Sequence, residues 1–316
     1  MPRSDNMSCW IITEGMAGTE NQCLGVAEAL GIQAHVKRMS LRQPWKTLSP
    51  WLGFEQSWSF THSVDPPWPD LLLTSGRKSA AASRYIKKAS DGKTFTVHIQ
   101  DPRIDPAHFD LLAVPAHDPA RGTNVITTTA APNRITDLKL ELARQQFKEF
   151  QKIKSPRVAV LIGGNSKAYR ITPDLMTILC EQLKSLEAGL MITTSRRTGQ
   201  ENEAILKETL KETDAYIWTG TGENPYSAML AWADYILVTA DSVSMLSDAA
   251  STGKPVYLID LQGGGKRLAT LHDNLMKAGA LRRFEGQLEH WSYPALRDAE
   301  IIAMEIRKRL NSRAGL

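Results

Sequence analysis

The scarcities of this chain are its first guide. Three cysteines occur in 316 residues, Cys9, Cys23 and Cys180. They are too few and too widely spaced for a disulfide framework or a zinc site, and neither Cys-x-x-Cys nor His-x-x-x-His accompanies them. A reducing compartment is expected, with no metal ion and no cofactor. No apolar run approaches the ~18 residues of a membrane-spanning helix, and Met1-Pro2-Arg3-Ser4-Asp5-Asn6 contains no signal-peptide core. The expected location is cytoplasmic, free or peripheral on the inner membrane. An excess of one charge is lacking too: 38 Lys and Arg against 34 Asp and Glu leave +4, scattered along the chain, so nucleic acid is not implied.

What is present is a regular alternation of apolar strands and helical stretches, with 42% hydrophobic residues to build the cores. Strands are expected at Cys9 to Thr13, Gln33 to Met39, Asp70 to Thr74, Phe95 to Ile99, Asp110 to Val114 and Val125 to Thr128. A charged helix follows from Thr136 to Lys154. The pattern then restarts with a strand at Arg157 to Ile162, which places a domain boundary near residue 154. The expected architecture is α/β, with two Rossmann-like domains and a ligand cleft where they face one another. The last helix, Pro294 to Leu310, is a candidate to return to the first domain.

Two familiar phosphate motifs are excluded. A dinucleotide fingerprint needs G-x-G-x-x-G and an acid ending the second strand, whereas that strand ends in Lys37 and Arg38. Gly76-Arg77-Lys78-Ser79 lacks the upstream glycine of a P-loop. Residues 43 to 69 interrupt the rhythm with prolines and aromatics, including Trp45, Trp51, Phe54, Trp58 and Trp68. Covering the core is their expected role; the alternative is an interfacial surface, because Trp beside Arg42 and Lys46 suits a membrane.

In the second half, successive strand ends carry polar groups. Gly163-Gly164-Asn165-Ser166-Lys167 offers backbone N–H groups, a hydroxyl and an ammonium. Arg196 and Arg197 follow the next strand and suit phosphate oxygens. Gly220 and Gly222 lead to Asn224-Pro225-Tyr226, where a flat base could lie against backbone. Asp241 or Ser242 caps a helix whose first turn, with Ser244, faces an anion, and Asp248 lies close enough to accept from a ribose. Ordinary loop and cap chemistry explains any one of these. Together they describe a nucleotide-diphosphate pocket.

Thr13-Glu14-Gly15-Met16-Ala17-Gly18-Thr19-Glu20-Asn21-Gln22, Gly163-Gly164-Asn165-Ser166, Thr194-Ser195-Arg196-Arg197-Thr198, Asn224-Pro225-Tyr226 and Asp241-Ser242-Val243-Ser244-Met245 resemble the bacterial relatives of the plant mitochondrial-fission (elongated mitochondria) family. The resemblance covers nearly the whole chain and implies a GT-B architecture with the donor nucleotide in the carboxyl-terminal domain. Two positions depart from the pattern: Asp248 stands where many such enzymes carry Glu, and Thr19 where relatives are expected to carry His.

The expected reaction is metal-independent glycosyl transfer from a nucleotide-sugar donor to an unknown acceptor, free or membrane-linked. Lys167 with Arg196 or Arg197 would stabilise the leaving diphosphate. Glu20, with Asp101 and His98 behind it, is the candidate base for the acceptor hydroxyl; the plain alternative is that Glu20 merely complements a helix dipole. Nucleotide-sugar epimerisation and a non-catalytic, membrane-associated scaffold are the other readings.

Overall fold

The computed structural model describes residues 7–116, 118–313 and 315. The reading of the amino terminus from Met1 to Asn6 lies outside the described residues. The chain divides into two compact units, Met1–Arg134 with Arg297–Leu316, and Ile135–Leu296.

The first unit runs β1 (Cys9–Thr13), α1 (Ala17–Ala29), β2 (Ala34–Arg38), the single turn α2 (Trp45–Leu48), β3 (Leu71–Ser75), α3 (Ala80–Ala89), β4 (Phe95–Ile99), β5 (Leu111–Pro115) and β6 (Val125–Thr128). Its six strands are all parallel, in the order β2-β1-β3-β4-β5-β6. Alternate residues serve the two faces of this sheet. Ile11, Leu71, Leu73, Val97 and Leu111 join Val26 of α1 and Leu30 at its end, while Ile12 and Leu72 pack against Ala81, Ala82 and Ile86 of α3 together with Trp45, Phe60 and Val64. Both faces are covered, which is why β3 and β5 are buried along their whole length. The segment expected to cover the core does so through Trp45, Phe60 and Val64, all buried.

The second unit runs α4 (Asp137–Gln146), β7 (Arg157–Ile162), β8 (Tyr169–Arg170), α5 (Pro173–Ser185), β9 (Gly189–Thr194), α6 (Gln200–Thr209), β10 (Tyr216–Trp218), α7 (Tyr226–Trp232), β11 (Tyr235–Thr239), α8 (Val243–Ala250), β12 (Val256–Ile259), β13 (Gln262–Gly263), α9 (Lys266–Lys277) and β14 (Leu281–Arg283). Six of these strands form a parallel sheet in the order β10-β9-β7-β11-β12-β14. The final helix, α10 (Asp298–Arg313), belongs to the first unit. It lays Ile302, Ala303 and Ile306 into the same core as α1, and the Asp298 carboxylate accepts the N–H groups of Thr129 at 2.9 Å and Ala130 at 3.1 Å.

Three boundaries differ from the sequence reading. The unit boundary falls at Arg134/Ile135, ahead of residue 154, because α4 packs against α7. The expected helix from Thr136 ends at Gln146 and gives way to a 3-10 segment, Lys148–Lys152. Finally, α1 begins at Ala17 rather than near Cys23: Gly15, at φ +87°, completes the turn early, a conformation that glycine adopts without steric cost, and Glu20 consequently sits in the first helical turn.

Candidate functional site

Each sheet has one place where the chain reverses its direction of travel across the strands, between β1 and β3 in the first unit and between β7 and β11 in the second. Loops leaving the carboxyl ends of such neighbours diverge and open a crevice. In the second unit β7 ends at Ile162 and β11 at Thr239, with Val238 paired to Leu161. The candidate donor site is built there.

Asp241 is its keystone. The side chain has no solvent exposure. Its Oδ1 accepts from Thr239 Oγ1 at 2.8 Å, and its Oδ2 accepts from Gly164 N–H at 3.1 Å and Arg197 Nη2 at 2.9 Å. One carboxylate therefore ties together the loops after β7, β9 and β11. This corrects the expectation that Asp241 meets the nucleotide or caps α8. The cap is Ser242, whose hydroxyl accepts from Met245 N–H at 3.3 Å. The N–H groups of Val243 and Ser244 carry no hydrogen bond among the described residues, and Ser244 is exposed. They leave the first turn of α8 with unpaired N–H groups, the feature for which the sequence reading expected an anion.

The diglycine serves packing between loops and corrects the expectation that it offers free backbone N–H groups: both residues are buried, with Gly163 N–H donating to Thr239 Oγ1 at 2.8 Å and Gly164 N–H to Asp241. A Cβ on Gly163 would overlap the Asp241 carboxylate, and one on Gly164 would overlap the Arg197 backbone. Asn165 and Ser166 spend their side chains on the same loop. Asn165 Oδ1 accepts from Ile171 N–H at 3.0 Å, and Ser166 Oγ accepts from Ala168 and Tyr169 N–H at 3.2 and 3.0 Å. Asn224 likewise turns its loop by accepting Tyr226 N–H at 3.0 Å. These three position backbone. Lys167 and Arg196 differ: both are exposed, and neither side chain has an ion-pair or hydrogen-bond partner among the described residues.

Asp248, placed by the sequence beside a ribose, accepts a hydrogen bond from Tyr226 Oη at 2.9 Å on Oδ2. Burial pushes its carboxyl up to about 7, partly countered by that hydrogen bond. Burial, the neighbouring Asp248 charge and the same hydrogen bond raise the Tyr226 phenol well above its ordinary value.

The sequence reading missed one loop on this edge. Gln262-Gly263-Gly264-Gly265-Lys266 follows β12 and enters α9, whose first residue is preceded by Gly265 with no side-chain cap. β13 pairs with β8 through Gly263 and Tyr169, and Gly264 N–H donates to Ala168 carbonyl at 2.8 Å. The triple glycine therefore lies against the Lys167 loop. The signal was present in the sequence, as three glycines and a cation at a helix start. Beneath it, the buried His272 ring places Nε2 3.1 Å from the Ala240 carbonyl; burial lowers its pKa, and the neutral ring supports the entry to α8.

In the first unit the crevice between β1 and β3 holds a cavity of about 290 Å³ lined by Glu14, Met16, Thr19, Trp51, Ser75 and Arg77 among others. Behind it, Gln22 Oε1 accepts from Ser75 Oγ at 2.9 Å and from Gln100 Nε2 at 3.0 Å. The three residues named as candidate bases are dispersed. Glu20 is engaged on both oxygens by Arg38, at 2.8 and 2.7 Å, and that hydrogen-bonded ion pair lowers its pKa. Asp101 accepts Arg103 N–H at 2.7 Å and shapes the turn after β4. His98 is a correction: it has no solvent exposure, stacks on Phe109 with centroids 5.0 Å apart, and is held by burial at a pKa of about 3. It sits within β4 on an inward-facing position, so it meets no acceptor. The carboxylate that does line the cavity is Glu14, with Lys78 Nζ 3.7 Å away.

Among the described residues no helix is long and apolar enough to cross a membrane. Solved structures with a similar fold include UDP-GlcNAc 2-epimerase from Methanocaldococcus jannaschii, at TM-score 0.57 and 13% identity over 96% of this chain and 100% of that one. MurG from Acinetobacter baumannii matches at TM-score 0.50 and 11% identity over 96% and 91%. At such identities the likeness is one of fold, here GT-B. Among curated proteins, mitochondrial fission protein ELM1 of Arabidopsis thaliana is 27% identical over 96% of this chain and 91% of its own length, and uncharacterized protein RP120 of Rickettsia prowazekii is 26% identical over 95% and 98%. The family model for mitochondrial fission ELM1 matches residues 17–310. The chain belongs to the mitochondrial fission ELM1 family.

Proposed function

We infer that this chain binds a nucleotide sugar at the carboxyl edge of its second sheet and transfers the glycosyl group to an acceptor hydroxyl, without a metal ion. The observation that carries this reading is the asymmetry of that edge. Asp241 is consumed internally, whereas Lys167, Arg196 and the first turn of α8 present positive charge and N–H groups outward. Such an edge suits a diphosphate and would stabilise it as a leaving group. Proteins that share the fold, UDP-GlcNAc 2-epimerases among them, are consistent with a nucleotide-sugar ligand.

On the acceptor side the base we favour is Glu14, because it lines the cavity at the reversal point of the first sheet and its nearest cation is no closer than 3.7 Å. Glu20, our expectation from sequence, is neutralised by Arg38 and is better suited to holding α1 against β2.

The test is calorimetric titration of nucleoside diphosphates and nucleotide sugars into the wild type and into Lys167→Ala/Arg196→Ala. Binding of one nucleotide, weakened roughly tenfold or more in the variant, supports the donor site; each lost phosphate contact of this kind is worth about 1.5–3 kcal/mol. Absence of binding by every nucleotide to folded protein refutes it. Consumption of a bound nucleotide sugar without any acceptor, yielding its epimer, would replace transfer by epimerisation.

A further inference from the structure

We propose that residues 42–58 are a membrane-docking loop that seats the first unit on an anionic bilayer surface. Four large apolar side chains point outward from this short stretch: Leu48, Trp51, Phe54 and Trp58 are 46%, 61%, 86% and 61% exposed. Their spacing along the chain is three, three and four residues. Nothing pulls them inward, because the space beneath is already filled. Trp45 is buried there, its Nε1 donating to the Gly53 carbonyl at 2.9 Å and its ring meeting Trp58 edge-on at 4.8 Å. Leu41 and Phe60 close the base of the loop as an antiparallel bridge. Gly53 and Phe54 both adopt left-handed backbone, at φ +64° and +56°, at the place where the most exposed aromatic is presented.

The charge around these side chains selects the partner. Arg42 and Lys46 are exposed, and Arg77 lies over the Trp51 ring at 5.8 Å. The single carboxylate between Arg42 and Val64 is Glu55, which is buried and paired with Arg84. The loop therefore presents apolar tips and positive charge with its negative charge hidden. Tryptophan rings suit the headgroup level of a bilayer, and lysine and arginine beside them are attracted to anionic lipids. Trp51 also lines the 290 Å³ cavity with Glu14, so a chain docked this way would present that cavity at the membrane. The proposal does not depend on glycosyl transfer, since docking needs no nucleotide.

The experiment is co-sedimentation of the full chain with phosphatidylcholine vesicles, with and without phosphatidylglycerol. It is run for the wild type, for Trp51→Ser/Phe54→Ser/Trp58→Ser and for Arg42→Glu/Lys46→Glu, with melting temperature and light-scattering mass recorded for each. The wild type is expected to bind the anionic vesicles and to bind neutral ones roughly tenfold or more weakly; each variant, shown by its melting transition to be folded, is expected to lose a comparable factor. Failure of the wild type to bind anionic vesicles overturns the proposal, as does binding that survives in the aromatic variant. A wild-type dimer that the aromatic variant converts to monomer, without vesicle binding by either, would reassign the loop to contact between copies of this chain.

Discussion

Arg197 and Asp241, 44 residues apart in the chain, meet at 2.9 Å, and the carboxylate that receives the guanidinium is sealed from solvent while the arginine remains half exposed. The pair closes three loops over one crevice. Replacing Asp241 by Asn removes the buried charge that holds Gly164 N–H and Arg197 together. A loss of about 2–3 kcal/mol is expected from charged hydrogen bonds of this kind. Urea unfolding of Asp241→Asn, Arg197→Met and the double variant should show a coupling energy of about 0.5–3 kcal/mol; strict additivity would mean the contact is incidental.

Gly164→Ala tests the same junction sterically. The added methyl meets the Arg197 backbone, which cannot swing aside as a side chain could. A destabilisation of about 1–3 kcal/mol is expected from overpacking, together with loss of whatever nucleotide affinity the wild type shows. Gly265→Ala, whose Cβ would make an ordinary contact with Ala168, is the control and should leave the melting temperature nearly unchanged.

His98 makes a prediction in acid. Burial lowers its pKa from 6.5 to about 3 in the folded chain, so the unfolded chain binds the extra proton first. Its contribution is intact above about pH 6.5 and is lost as pH falls through the interval down to 3, with a limiting slope of about 1.4 kcal/mol per pH unit. The ring can be removed at modest cost: Nε2 has no hydrogen-bond partner, and Thr74 Oγ1 retains the Val97 carbonyl at 3.2 Å. His98→Leu should therefore unfold less steeply with acid than the wild type when urea midpoints are compared between about pH 7 and 5. Equal slopes would show that this histidine is not the group being titrated.

Asp248 titrates in the opposite sense. Its folded pKa is raised from 3.8 to about 7, so the folded chain binds the proton more tightly, and the resulting stabilisation is lost as pH rises from 3.8 through 7. A ribose hydroxyl donating to this carboxylate needs it ionised. Nucleotide affinity should thus fall by about tenfold as pH drops from 8 to 6, since one proton competes with one hydrogen bond. Asp248→Asn should flatten that dependence and melt higher than the wild type in alkaline buffer. A pH-independent affinity in the wild type would remove Asp248 from the nucleotide site.

Glu14 and Glu20 separate by kinetics. If glycosyl transfer is found, Glu14→Gln should lower kcat by about 10²–10⁴, the range for loss of a general base. Glu20→Gln should instead cost less than about 1 kcal/mol of stability, as expected for a solvent-facing ion pair, and leave kcat within a few fold. The reverse pattern would return the base to Glu20.

The alternation of apolar strands with capped helices determined by itself that this is an α/β chain with two Rossmann-like domains, because strand and helix periodicities are local properties of consecutive residues. Gly163-Gly164, Arg196-Arg197 and the Ser242 cap were legible for the same reason: each is a short stretch with its own backbone demand. The tertiary structure decided what those residues face. Asp241 looked like a ligand-binding acid until Thr239, Gly164 and Arg197 were seen to occupy both of its oxygens. His98 looked like a strand-end base until Phe109 was found against its ring. Glu20 was claimed by Arg38 across two elements, and Glu14 gained its cavity from β3 and from the Trp51 loop. A sequence specifies the chemistry of a side chain, but whether that chemistry is spent inside the protein or left for a ligand depends on partners tens of residues away.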